Sequence, residues 1–118
     1  MIANTTQHNQ QTQILELSGR LNFQARQVYL QGVKQAKISS PRHVIMNLTE
    51  VSYIDSAGLG LLALSHKKLT KLGIQISLIN PQPSVKQLIE LTNLNTMLPI
   101  YDSVEAASQS FKAMPLKT

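Results

Sequence analysis

Short apolar runs of strand type and longer stretches with helical spacing take turns along these 118 residues, and that alternation restricts the chain to a layered α/β fold. Thr12 to Leu17 alternates, with Ile14 and Leu17 turned inward, and stops at Ser18-Gly19. From Phe23 to Lys37, Ala25, Val28, Tyr29, Gly32, Val33 and Ala36 recur at the i, i+3, i+4, i+7 spacing of an amphipathic helix, closed by Ser39-Ser40-Pro41. His43 to Leu48 is a buried strand, and Ala57 to Leu72 is a second helix with Gly73 as its C-terminal stop. Ile74 to Ile79 is a further β-branched strand, ended by Asn80-Pro81. Ser84 with Gln87 reads as a capping box for a short helix bearing Val85, Leu88 and Ile89. Asp102 with Glu105 reads as one for a last helix bearing Val104, Ala107 and Phe111, with a short strand from Met97 to Tyr101 between the two. Residues 1 to 11, rich in Gln and Asn, are either loose or an added edge strand. The sum is four to five strands with about four helices laid against them, in one domain over 1–118.

The composition removes several classes of function. There is no cysteine, so disulfides, thiolate metal sites and thiol nucleophiles are excluded. The longest apolar stretch, near Leu59 to Leu64, is far short of the roughly 20 residues that cross a bilayer. The polar N-terminus also lacks the apolar centre of a signal peptide. A soluble, cytoplasmic protein with no membrane partner is the expectation. Eleven Lys and Arg against six Asp and Glu give a net charge of +5, but the cations are spread from Arg20 to Lys117. With aromatic residues at 4%, the Lys67, Lys68 and Lys71 group reads as a solvated helix face, and no nucleic-acid partner is expected.

Chemistry concentrates in Val51-Ser52-Tyr53-Ile54-Asp55-Ser56-Ala57-Gly58-Leu59-Gly60, where strand gives way to helix. Ser56 falls at or near the helix cap, where unpaired N–H groups and the helix dipole favour negative charge, and a phosphate is the natural candidate. Gly58-Leu59-Gly60 is not a dinucleotide loop, because Ala63 stands where a third glycine belongs, and no Gly-Lys-Ser or Gly-Lys-Thr follows. Ser56-Ala57-Gly58 is only half of a nucleophile elbow, since position 54 is Ile, and His8, His43 and His66 lack acidic partners. The carboxylates show no metal-ligand spacing. No enzyme activity, cofactor or metal is expected. At 100° per residue Gly58, Leu62, Ser65 and Leu69 share the inner face of the second helix. Gly60, Leu64, Lys67 and Lys71 lie opposite, and Leu64 among glycine and lysines is either part of a contact surface just beyond Ser56 or one of the scattered exposed leucines that most surfaces carry.

Asn47 to Gly60 resembles the signature of the STAS domain family, in particular the bacterial anti-sigma factor antagonists. The resemblance extends to Ser18-Gly19-Arg20-Leu21, to Val85 through Leu94, to Pro99-Ile100-Tyr101-Asp102-Ser103 and to Glu105-Ala106-Ala107. It implies a mixed β-sheet with helices packed against it and a phosphorylation-controlled partner switch. In such a switch the serine after the aspartate, here Ser56, is phosphorylated by a serine kinase that is also an anti-sigma factor. The unphosphorylated form binds that kinase, phosphorylation releases it, and a PP2C-type phosphatase restores it. The surface so implied comprises Asp55, Ser56, Ala57, Gly58, Gly60, Ala63, Leu64 and Lys67, with Asn22 where the family usually has Asp. The alternative within the family is a STAS scaffold or interaction module in a signalling complex without a sigma factor.

Overall fold

A computed structural model describes residues 1–111. Five strands, β1 (Ile2–Asn9), β2 (Thr12–Leu21), β3 (His43–Ile54), β4 (Gln75–Ile79) and β5 (Ile100–Tyr101), form one sheet in chain order. β1 and β2 are antiparallel and every later pair is parallel, so the sheet is mixed. The parallel pairs are joined through α1 (Arg26–Lys37), α2 (Ser56–Lys71) and α3 (Pro83–Leu91), and a last helix, α4 (Val104–Ser110), follows β5. Crossovers of one hand in a sheet that grows in a single direction put α1, α2 and α3 on the same face.

That face holds the main core. Leu15, Leu17 and Leu21 from β2 and Val44, Met46, Leu48, Val51 and Ile54 from β3 meet Tyr29, Val33, Leu62, Leu69, Val85 and Ile89 from the helices. A smaller cluster on the opposite face joins Ile14, Ile45 and Ile79 to Ala107 of α4. Ile14 and Leu17 are both buried, as the sequence suggests, but odd spacing on a strand sends them to opposite faces. One polar pair lies inside the main core. The Ser65 hydroxyl donates to the Leu61 carbonyl at 2.9 Å, so it accepts the Tyr29 hydroxyl at 2.7 Å, which ties α1 to α2. Burial pushes the Tyr29 phenol well above its ordinary range.

Several elements differ from the sequence reading for identifiable reasons. The N-terminal residues form the edge strand. β2 does not stop at Ser18-Gly19 but runs on to Leu21, because register shifts on both sides of Ser18-Gly19 absorb the irregularity and Gly19 takes φ 102°. β3 continues beyond Leu48 to Ile54 in pairing with it, and within the strand the Asn47 side chain accepts from the Thr49 N–H and hydroxyl. The proposed capping boxes are each displaced by a residue or two. α3 begins after Gln82 with no side-chain cap and Pro83 in its first turn, and α4 is capped by Ser103, whose hydroxyl accepts from Ala106 N–H, rather than by Asp102. The strand expected from Met97 is confined to Ile100–Tyr101, and Leu94–Thr96 forms a 3-10 turn before it.

Candidate functional site

β2 and β3 end in register, with Leu21 beside Ile54, and the residue after each strand does the same local job. Asn22 and Asp55 both adopt extended backbone, φ −132° and −126° with ψ −171° in each. Asn22 Oδ1 accepts from Ala25 N–H at 3.1 Å and starts a 3-10 turn over Phe23–Ala25. Asp55 Oδ1 accepts from Gly58 N–H at 3.0 Å and starts α2. Asn and Asp are about equal as caps, so Asn22 keeps the fold of this loop while removing a negative charge beside Asp55.

Asp55, not Ser56, is therefore the cap. Ser56 is the first helical residue, exposed, and its hydroxyl has no hydrogen-bond partner among the described residues. Ser56 thus lies beside the cap, and the capping role belongs to the neighbouring carboxylate.

Gly58 is buried, and the reason is steric. A Cβ at this position would lie 2.1 Å from the Leu21 carbonyl oxygen and 2.8 Å from Ile54 Cγ1, so only glycine lets the first turn of α2 close over the ends of β2 and β3. Gly60 is the opposite case. It is exposed, and a Cβ there would meet nothing within 4 Å. Glycine inside a helix costs about 1 kcal/mol relative to alanine, and nothing among the described residues requires it here.

Of the other residues in the predicted surface, Asp55, Ala57, Ala63, Leu64 and Asn22 are half-buried and Lys67 is exposed. Ala63 leans on the core, so the outward strip of α2 runs through Ser56, Gly60, Leu64 and Lys67. Sequence reasoning missed two neighbours. Phe23, next to Asn22, is 72% exposed although it was assigned to the amphipathic helix. Arg20 lies over the Tyr53 ring, 4.1 Å from its centroid, where β2 and β3 approach the same end of the sheet. An aromatic placed directly after a capping residue, outside the helical repeat, is the signal that was available for Phe23.

Among the described residues no group of three or more His, Cys, Asp or Glu converges. A groove of about 660 Å³ opens elsewhere, between β1 and α1, lined by Ala3, Val28, Leu30 and Gly32. No described helix is long and apolar enough to cross a membrane.

The model of the STAS domain matches residues 3–107. The chain belongs to the STAS domain family. One relative, the anti-sigma F factor antagonist of Paenibacillus polymyxa, is 24% identical over 98 residues, covering 82% of this chain and 84% of its own length. An anti-sigma factor antagonist from Mycobacterium paratuberculosis superposes with a TM-score of 0.81 at 22% identity, covering 92% of this chain and 91% of the other. The Bacillus cell fate determinant SpoIIAA, solved in its phosphorylated form, superposes at 0.63 with 20% identity, covering 92% and 99%. At these identities the structural likenesses establish the shared fold.

Proposed function

We propose that this STAS protein is an anti-sigma factor antagonist, a regulatory binding protein rather than an enzyme, and that Ser56 is its switch. A relative carries the antagonist name, and SpoIIAA is known in a phosphorylated form, which supports both halves of the reading. The observation that carries it is the position of Ser56: exposed, its hydroxyl unbonded among the described residues, and on the first residue of a 16-residue helix. In the unmodified state the strip Ser56, Gly60, Leu64 and Lys67, bordered by Asn22 and Asp55, receives an anti-sigma factor that is also a serine kinase. Gly60 admits the partner's backbone closely. The kinase phosphorylates Ser56, and a PP2C-type phosphatase reverses the modification.

The switch follows from where the charge is placed. A phosphoserine brings about −1.5 to −2 charge. At the start of α2 the helix dipole accommodates an anion, so the fold persists. Against a docked partner the same phosphate must shed water beside the Asp55 carboxylate, and a loss of only ~3 kcal/mol weakens binding by roughly a hundredfold. The test compares the affinity of Ser56→Ala and Ser56→Asp for the kinase retained from the native cell. Ser56→Ala should bind as the unmodified protein does and Ser56→Asp should bind much more weakly; equal affinities would contradict the switch.

A further inference from the structure

The end of the molecule remote from Ser56 is built from the last turns of α1 and α2 and the entrance to β3. β3 runs from that end to the Ser56 loop, and its 12 residues separate the two by roughly 35 Å at the ordinary rise of a strand. α1 carries Lys34 and Lys37 in its last turn and α2 carries Lys68 and Lys71 in its own. Lys37, Arg42, Leu72 and Ile74 line one shallow concavity of about 560 Å³, and among the described residues no acidic one lines it. Ile38 and Leu72, the residues that close α1 and α2, are 70% and 62% exposed beside these cations.

We propose that this end docks on an anionic lipid surface, with Ile38 and Leu72 entering the boundary between headgroups and acyl chains while Lys37, Lys71 and Lys68 meet the phosphates. Charge complementarity selects the anion: Lys37 and Arg42 line the concavity, Lys68 and Lys71 stand in the last turn of the helix whose end borders it, and no carboxylate is among its described lining residues. The residue types select lipid over other anions. Lysine is depleted from the cores of protein interfaces, which are anchored by Trp, Tyr and Arg, whereas three of these four cations are lysine and the apolar groups are two aliphatic tips. Nucleic acid would use the lysines but gains nothing from Ile38 and Leu72, and no aromatic ring is among the described residues that line the concavity. Long lysine stems beside protruding aliphatic groups instead suit an interface in which ammonium groups stay wet above a shallow apolar insertion. The absence of a spanning helix has no bearing on such peripheral docking. In this pose Ser56 points away from the bilayer, so a partner can exchange there while the protein stays on the surface.

The test is co-sedimentation of the full chain with vesicles of pure phosphatidylcholine, and of phosphatidylcholine mixed in equal parts with phosphatidylglycerol. The protein should partition to the mixed vesicles alone, and high salt should release it. Neutralising two lysines in Lys37→Gln/Lys71→Gln should lower the partition coefficient about thirtyfold. Ile38→Ser/Leu72→Ser should lower it as well, which a purely electrostatic contact would not do. All four positions are at the surface or its margin, and circular dichroism confirms that the variants fold. Ser56→Asp should bind the vesicles as the parent does, so failure here and failure of the Ser56 switch are separate results. Equal binding to neutral vesicles, no binding to the mixed ones, or undiminished binding by the aliphatic variant overturns the proposal. Tighter binding to duplex DNA or to polyglutamate than to the mixed vesicles overturns it too and reassigns the surface to nucleic acid or to an acidic protein.

Discussion

Gly58 and Gly60 stand two residues apart on α2, and replacing each by alanine should shift stability in opposite directions. In Gly60→Ala the new methyl meets nothing within 4 Å, so the only intramolecular effect is the helix preference of alanine, a gain of about 1 kcal/mol. For a chain of this size that raises the melting temperature by roughly 4 °C. In Gly58→Ala the methyl lies 2.1 Å from the Leu21 carbonyl oxygen, a backbone atom held in the β2–β3 ladder, so the start of α2 must move away from the sheet. Overpacking of this kind costs about 3 kcal/mol, and the helix preference offsets only about 1 kcal/mol of it. Chemical denaturation of both variants reads these changes directly, and titration with the partner reads the second consequence. If Gly60 is kept because the partner's backbone approaches it, Gly60→Ala should be more stable yet bind at least about tenfold more weakly, a loss of ~1.4 kcal/mol. A Gly60→Ala variant that is stabilised and binds undiminished would remove α2 from the interface. A Gly58→Ala variant as stable as the parent would refute the steric argument for the loop.

Three further outcomes follow from the same geometry. Asn22→Asp should leave the unfolding free energy within about 0.5 kcal/mol of the parent, because either side chain can cap the turn, whereas Asn22→Ala should cost about 1 kcal/mol by denaturant titration. Ser56→Asp should keep the melting temperature at or slightly above that of Ser56→Ala, since an anion on the first helical residue is stabilising by about 0.3–1 kcal/mol; a large destabilisation would show that the switch acts by unfolding. His43 is buried, bonded through Nε2 to the Ser77 hydroxyl at 2.8 Å, stacked on Phe111 and, among the described residues, without a partner at Nδ1, and burial lowers its pKa from 6.5 to about 4. Below pH 6.5 the unfolded chain binds a proton that the folded chain refuses, so stability should fall by about 2–3 kcal/mol between pH 7 and pH 4.5, a loss that His43→Gln should largely abolish.

The layering of strands and helices was legible because the apolar spacing of Tyr29, Val33 and Ala36, or of Leu62 and Leu69, reflects the side of each helix that the sheet covers. The far halves of β2 and β3 were not. Ser18, Arg20, Glu50 and Ser52 turn away from the main core, and two register shifts break the alternation that a reader would follow, so the strands look finished before they are. That matters for the site, since it is the added length that brings Leu21 beside Ile54 and sets Asn22 next to Asp55. Ser56 lies beside the cap as its position in the sequence suggests, whereas both capping boxes are displaced by one or two residues. Ser56, Ser84 and Asp102 have the right chemistry, but backbone conformation assigned the position to Asp55, Gln82 and Ser103, which composition alone does not distinguish. The exposed strip on α2 was visible from helical geometry, with Leu64 less exposed than its spacing suggests. Phe23 was hidden because the 3-10 turn over Phe23–Ala25 takes it out of the helical phase.

The account turns on whether negative charge at one exposed hydroxyl governs partner binding. The direct measurement is the affinity of the purified kinase partner for the unmodified protein and for the same preparation phosphorylated to completion, with the modified residue mapped by mass spectrometry. The prediction is one phosphate, on Ser56, and binding weakened by roughly a hundredfold or more. A phosphate on any other residue, or unchanged affinity with Ser56 fully modified, would contradict it.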